Sequence, residues 1–300
     1  MIPIEALHSV RTIVTHDNCP DGYASAMVLH DALPDARVVF VRHGTADHRL
    51  LAAEPGMLFC DFSPPAARVQ EFRDAGAIVL DHHKTARELA ESFPLHVFAD
   101  EVMEPGVSGA VLAYREVWRP VVGHWNVPCE VEDFATLAGI RDTWQTKDPR
   151  WLEACAQAEA LRFWPKETLL AVKPLEWSGL MAIGPVIVAK NRERDKRTLE
   201  GSHRFISSLG RVVCFQGLET SDIAETLAAD ADLVAGWSYS IDAGVKRMQI
   251  SLRSREDVDV AALAKRYGGG GHTKAAGFTL SVADDDPNPW ARIEQLLGAP

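Results

Sequence analysis

The chain has 300 residues, 47% hydrophobic and 24% charged, which is enough for one large or two ordinary domains with a sizeable core. A formal net charge of −11 counts against a coat for long duplex DNA, which needs a broad cationic surface, but not against a small anionic substrate held locally or a cluster of acids that takes up divalent cations. There is no apolar run long enough to span a bilayer, no basic stretch leading a long apolar one at the N-terminus, and no C-x-x-C pair among Cys19, Cys60, Cys129, Cys155 and Cys214, so a cytoplasmic, non-membrane protein with reduced thiols is expected.

Strands are expected at 11–16 (RTIVTH), 36–44 (ARVVFVRHG), 56–62 (GMLFCDF), 77–83 (AIVLDHH) and 95–100 (LHVFAD), all rich in Val, Ile or Phe. Helical patterns at 22–33 and 65–76 separate them, the second closing on Gly76. Repeated βα units imply a parallel sheet with helices on its faces. From about 105 to 165 the pattern turns helical, with Ser108 a good N-cap for SGAVLAYREVW and VEDFATLAGIRDTW following. A helix over GPVIVAKNRERDKRTLEG then leads into a second α/β unit. Its expected strands are 211–217, 231–240 and 247–254, with helices near 221–229 and 258–267. The expected division is 1–184, a linker helix at 185–200, and 201–300. The fold class is α/β: a parallel-sheet N-terminal domain and a smaller α/β C-terminal one.

Three of the first five strands end on residues that carry chemistry. The first runs into His16, Asp17 and Asp21 of THDNCPDG, the third into Asp61, and the fourth into Asp81, His82 and His83. An Asp after a strand commonly caps the next helix or makes a turn, and a lone D-H-H is a weak pattern. Three clusters at the C-terminal ends of strands in one parallel sheet are harder to place by chance, because that edge is where such sheets bind ligands. Carboxylates and imidazoles converging there suit a divalent ion such as Mn²⁺ or Mg²⁺.

Downstream, Gly268 to Gly271 allow backbone N–H groups to approach an anion closely, and His272 follows them. Arg253 and Ser254 of SLRS close the preceding strand, and Arg253 suits a bidentate phosphate contact. Between 241 and 280 there are seven Lys/Arg against four Asp/Glu, a locally cationic stretch on an acidic protein. Arg253, Ser254, Gly269, Gly270, Gly271 and His272 are the expected substrate-binding residues. Four glycines in a row also suit a plain flexible loop. Of the eight tryptophans, Trp144 is the best candidate for stacking on a base, although Trp is more often simply buried.

Taken in order, HDNCPDG, FCDFSPP, LDHHKTA and GIRDTW resemble the motifs of the DHH phosphoesterase superfamily, and RYGGGGHTKAAGF (266–278) resembles the signature of the DHH-associated C-terminal domain. The resemblance is nearest to nanoRNase and phosphatase members and more distant to RecJ-like ones. It implies a catalytic α/β domain, a smaller substrate-binding domain, a cleft between them, and two divalent metal ions. His16, Asp17, Asp21, Asp61, Asp81, His82 and Asp142 become the expected metal set, with Asp61 bridging the ions and His82 in direct contact. Asp61, Asp81, His82 and His83 become the catalytic set, His83 orienting ligands or the phosphate from behind. One departure matters. Many members read H-x-x-x-D-x-D in the first motif, and here Cys19 falls at the first of those aspartates when Asp21 is matched to the second. Asp17 is expected to fill that role, since a thiolate on Mn²⁺ is unusual.

The expected activity is metal-dependent hydrolysis of short single-stranded oligonucleotides to mononucleotides, two ions activating a water. The same machinery suits phosphate removal from 3′-phosphoadenosine 5′-phosphate, or cleavage of cyclic or linear dinucleotides. A pyrophosphatase is a further alternative, and a non-catalytic nucleotide sensor is the alternative of another class. Homodimerisation is left open.

Overall fold

The computed structural model describes residues 2–100, 102–123, 130–218, 220–224, 228, 230–242, 244–255, 258–283 and 288–298; the side chains of Ser221, Asp242 and His272 lie outside that description, as do Trp125 and Cys129. The chain divides into two units, Met1–Val188 and Ala189–Pro300.

The first unit runs α1 (Ile4–His8), β1 (Thr12–His16), α2 (Pro20–Ala32), β2 (Arg37–Val41), α3 (Ala46–Leu50), β3 (Met57–Cys60), α4 (Val69–Asp74), β4 (Ile78–Asp81), α5 (Arg87–Glu91) and β5 (Leu95–Phe98). All five expected strands form, slightly shorter than their apolar runs. They make one parallel sheet in the order β2-β1-β3-β4-β5. The central strands are apolar almost throughout because both faces are covered. Ile13, Leu58, Ile78 and Leu80 face one core layer, while Val14, Phe59 and Val79 face another built with Phe72, Ala90 and Phe93. The first layer is completed by the helical segment α6 (Gly109–Ala113), a π-helical turn over Tyr114–Trp118 and α7 (Arg119–Val122), and by α8 (Glu130–Asp142) and α9 (Trp151–Phe163). Ser108 caps α6 as expected, its hydroxyl accepting from the N–H of Val111. α10 (Lys166–Ala171) and α11 (Ser178–Met181) follow, and α12 (Gly184–Glu200) carries the division between units within it.

The second unit holds β6 (His203–Ser207), β7 (Gly210–Gln216), the short α13 (Thr220–Asp222), β8 (Leu233–Asp242), β9 (Val245–Ser254), α14 (Val260–Arg266), β10 (Gly270–His272), β11 (Ala275–Ser281) and α15 (Pro289–Leu296). These strands form one sheet in the order β10-β11-β9-β8-β7-β6, antiparallel except for the β7–β8 pair. Trp237, Met248, Ile250 and Leu252 pack on one face with Leu263, Ile293 and Leu297. Two α/β units are therefore present, as expected. The sequence reading missed β6 and β11, and it took the Gly-rich run for a loop where β10 forms. Part of the helix expected near 221–229 lies outside the described residues.

No helix among the described residues is long and apolar enough to cross a membrane. Cys19, Cys60, Cys155 and Cys214 are free thiols.

Candidate metal centre

The strand order reverses at β1: the chain steps out to β2 and returns to the other side at β3. The crevice at the C-terminal ends of β1 and β3 is therefore the switch point where open α/β sheets bind ligands. β1 ends on His16, Cys19 is the N-cap of α2, and Asp21 lies in the first turn of that helix. β3 runs into Asp61 and β4 into Asp81, His82 and His83. α8 delivers Asp142 as its last residue.

Three groups of donor atoms form there, each with all members within 4.8 Å of one another: His16, Cys19 and Asp61; Asp61, His82 and His83; Asp21, His82 and Asp142. Asp61 belongs to two of them and His82 to two. Nε2 of His82 lies 3.1 Å from Asp61, 3.5 Å from Asp142 and 3.8 Å from Asp21. Asp61 is 1% exposed, and its Oδ2 is buried with no hydrogen-bond partner. A buried carboxylate oxygen without a donor is costly. A divalent cation in contact with that oxygen removes the cost, so these residues fit such an ion.

Helix geometry secures the neighbouring acid. Both oxygens of Asp21 accept from the first turn of α6: Oδ1 from the Ser108 hydroxyl at 2.7 Å and the Ala110 N–H at 3.1 Å, Oδ2 from the Gly109 N–H at 2.6 Å. The partial positive charge at a helix start favours a carboxylate there. Residue 109 has to be glycine, since a Cβ would sit 2.3 Å from Cβ of Asp61 and 2.8 Å from Oδ2 of Asp21. Backbone strain gathers in the same loops. Asn18, Asp61 and Trp144 have left-handed φ of 62°, 57° and 57°. Such conformations cost about 1–3 kcal/mol each and persist only where surrounding structure enforces them.

Asp81 serves the D-H-H turn itself. It accepts from the N–H groups of His82 (2.8 Å) and His83 (3.0 Å), from Nδ1 of His83 (2.8 Å) and from the Ser63 hydroxyl. None of the donor groups among the described residues includes it. Asp17 is turned elsewhere as well. Its Oδ1 lies 2.6 Å from Nζ of Lys166 and its Oδ2 3.3 Å from Nε of Arg42, while Tyr23 and the N–H of Asn18 also donate to it. Of the residues expected as metal donors, the structure gathers His16, Asp21, Asp61, His82 and Asp142. It adds Cys19 and His83, and leaves Asp17 and Asp81 outside the groups. Asp17 departs because two cations compete for its carboxylate, and Asp81 because the turn's own N–H groups claim it.

Electrostatics follow from this crowding. Burial, then Asp21, pushes the Asp61 carboxyl well above the usual range, and burial with Asp142 raises Asp21. Burial with Asp61 and Asp142 pushes the Cys19 thiol up. Burial, with His83 beside it, pulls His16 down to about 4, so its ring is neutral and ligand-ready at pH 7. Burial opposes charge on Asp81 and His83 too, but their mutual hydrogen bond wins. Asp81 is held below the ordinary carboxylate range and His83 is raised to about 9.

The expected substrate residues lie in the second unit. Arg253, Ala275 and His272 occupy one register row across β9, β11 and β10. Nη1 of Arg253 donates to the carbonyl of Leu252 at 2.8 Å. Ser254 is engaged internally, its hydroxyl donating to the carbonyl of Val258 at 2.6 Å. Packing accounts for two glycines of the run: a Cβ on Gly269 would meet the Gly277 carbonyl at 2.1 Å, and one on Gly271 the Ala275 carbonyl at 2.4 Å. Around Gly270 there is open space. Trp144 is partly buried, with the Arg141 guanidinium 4.3 Å over its ring and Trp151 edge-on at 5.0 Å.

Residues 216–299 match the model of the DHHA1 domain. That stretch lies within the second unit. Together with the D-H-H turn and strand-end acids of the first unit, this supports the DHH/DHHA1 assignment. A curated relative, the uncharacterized protein R106 of Acanthamoeba polyphaga mimivirus, is 24% identical over 304 residues, covering 91% of this chain and 68% of its own. Among solved structures, the pGpG-specific phosphodiesterase PggH from Vibrio cholerae is 14% identical, covering 96% of this chain and 98% of its own, with a TM-score of 0.46. An uncharacterized protein from Helicobacter pylori G27 is 14% identical over 97% of this chain and 99% of its own, with a TM-score of 0.36.

Proposed function

We propose that this chain is a metal-dependent phosphodiesterase of the DHH type that hydrolyses short single-stranded oligonucleotides to mononucleotides. The observation that carries the reading is Asp61. It is buried at the switch point, shared between two donor groups, and has one carboxylate oxygen without a protein partner. A bridging carboxylate needs that placement. Two divalent ions held by these residues would acidify a water and offset negative charge on a phosphodiester.

The chain's own residues prepare the site. His16, held neutral, is a ready nitrogen donor, and Asp21 and Asp142 supply oxygens around His82. Asp81 fixes the orientation of His83 through Nδ1. Imidazoles among the donors favour Mn²⁺ over Mg²⁺. The DHHA1 domain, with Arg253 and His272 in one register row, is proposed to hold the substrate's phosphate.

The test is to rank kcat/KM in Mn²⁺ for end-labelled dinucleotides, pentanucleotides and longer strands, cyclic dinucleotides and 3′-phosphoadenosine 5′-phosphate. Short linear oligonucleotides are expected to lead. Preference for the phosphomonoester or the cyclic compounds would replace the substrate assignment. Binding of all of them without cleavage would make the chain a sensor.

A further inference from the structure

The donor group of His16, Cys19 and Asp61 offers one nitrogen, one sulfur and one oxygen. The group of Asp21, His82 and Asp142 offers one nitrogen and two oxygens, and Asp61, 3.1 Å from Nε2 of His82, borders it as the shared carboxylate. The geometry points to Cys19 as a sulfur ligand in the first group, which makes the pair of metal positions chemically unequal. The first takes a thiophilic borderline cation such as Zn²⁺ or Co²⁺, and the second the harder Mn²⁺ or Mg²⁺. This rests on the two-metal reading above.

Three observations carry it. Cys19 sits at the N-cap position of α2 with extended backbone (φ −123°), and its side chain makes no capping hydrogen bond. Its Sγ instead lies within 4.8 Å of donor atoms of His16 and Asp61. The carboxylate that would make this position an ordinary oxygen site, Asp17, is two residues away in sequence but occupied by Lys166 and Arg42. Sulfur is therefore the donor that the β1–α2 turn adds to His16 and Asp61. Soft thiolate ligands select Zn²⁺ and its neighbours, whereas Mg²⁺ takes oxygen and keeps its waters. On binding, the metal–sulfur bond replaces the thiol S–H bond and one proton leaves to solvent.

Cobalt(II) provides a readout that needs no substrate, because thiolate ligation gives a near-ultraviolet charge-transfer absorption that nitrogen and oxygen ligands do not. Metal-free full-length protein is titrated with Co²⁺ and followed by absorbance. Wild type and Cys214→Ser are expected to develop the band. Cys19→Ser and Cys19→Asp are expected to lose it while remaining folded by circular dichroism, since Ser and Asp are both good N-caps. Zn²⁺ affinity at that position should fall by about tenfold or more in Cys19→Ser, and Cys19→Asp should regain Mn²⁺ affinity there but not the band. Asp17→Asn should keep the band. A band that survives in Cys19→Ser, or is absent from wild type that binds Co²⁺, overturns the sulfur ligand. A wild-type protein that shows the band but cleaves no nucleotide overturns the proposed activity and leaves the ligand assignment standing.

Discussion

Nε2 of His82 stands 3.1 Å from Oδ1 of Asp61, while the other Asp61 oxygen is buried without a partner. That asymmetry separates catalysis from stability at one residue. Asp61→Asn keeps the side-chain size and the tolerance for left-handed φ, but removes the bridging charge. Activity in Mn²⁺ is expected to fall by roughly 10⁴-fold, as for a group on which all others depend. The metal-free variant should melt no lower than wild type, because relief from burial and from Asp21 offsets the loss of one hydrogen bond. Near-normal kcat/KM in this variant would remove Asp61 from the centre of the site.

Gly109 tests the support behind the metal groups. In Gly109→Ala the new Cβ has no room between Asp61 and Asp21, so either the helix start retreats or the two acids spread apart. A loss of about 1–3 kcal/mol in urea denaturation and a weaker metal titration are expected together. Ser108→Ala removes only the hydroxyl bond to Oδ1 of Asp21 and should cost less in both. Unchanged metal affinity in both variants would show that the α6 start does not position Asp21 for the ions.

The Asp81–His83 pair gives a pH signature. His83 titrates at about 9 in the fold against about 6.5 when unfolded. Its contribution is therefore full below pH 6.5 and is lost as pH rises through 9. Asp81, held low, contributes above its unfolded value and loses that only in acid. With EDTA present, stability should decline between pH 6.5 and 9 by an amount on the order of 1–3 kcal/mol. His83→Gln should flatten that decline; an unaltered slope would assign it to another group.

Much of the frame was legible because it is local. Strands buried on both faces must be apolar almost throughout, as β3 and β4 are, and the edge strands β2 and β5 still show through Val and Phe. The strand-end acids were legible for the same reason: a chain that leaves a parallel strand emerges at the ligand edge. What was not legible depends on residues far apart. The hold of Ser108 on Asp21 joins positions 87 residues apart, so SGA read only as a helix start. Asp17 looked equivalent to Asp21 until Lys166 and Arg42 claimed it. In the second unit, the glycines read as a phosphate loop, but Gly269 and Gly271 are small because β11 packs against them. Cys19, standing where an aspartate was expected, lies beside His16 and Asp61, a proximity that the first motif alone does not show.

Asp17 therefore has its own prediction. Its ion pairs are with Arg42, 58% exposed, and Lys166, 37% exposed, and such surface pairs are worth about 0–1 kcal/mol. Asp17→Asn should cost no more than that in stability and should leave metal stoichiometry unchanged by calorimetry. Loss of one bound ion in a folded Asp17→Asn protein would return Asp17 to the ligand set in place of the sulfur.

The division of labour between the units is tested at Arg253. A charge-assisted hydrogen bond to a phosphate contributes roughly 1.5–3 kcal/mol, so Arg253→Ala should lower kcat/KM by about 10- to 100-fold, far less than loss of Asp61. If the contact is equally strong in the ground and transition states, the loss appears in KM with kcat unchanged. His272→Ala should behave alike, since both residues fall in one register row. Ser254→Ala is the contrast. Its hydroxyl is bound to the Val258 carbonyl, so it should lower stability by about 1 kcal/mol and leave KM nearly unaltered. Mn²⁺ titrations without substrate should match wild type in all three, because the donor groups found among the described residues all lie in the first unit. A folded Arg253→Ala or His272→Ala protein that no longer binds Mn²⁺ would move the Gly-rich segment from the substrate to the metal, and the assignment of separate tasks to the two units would fall with it.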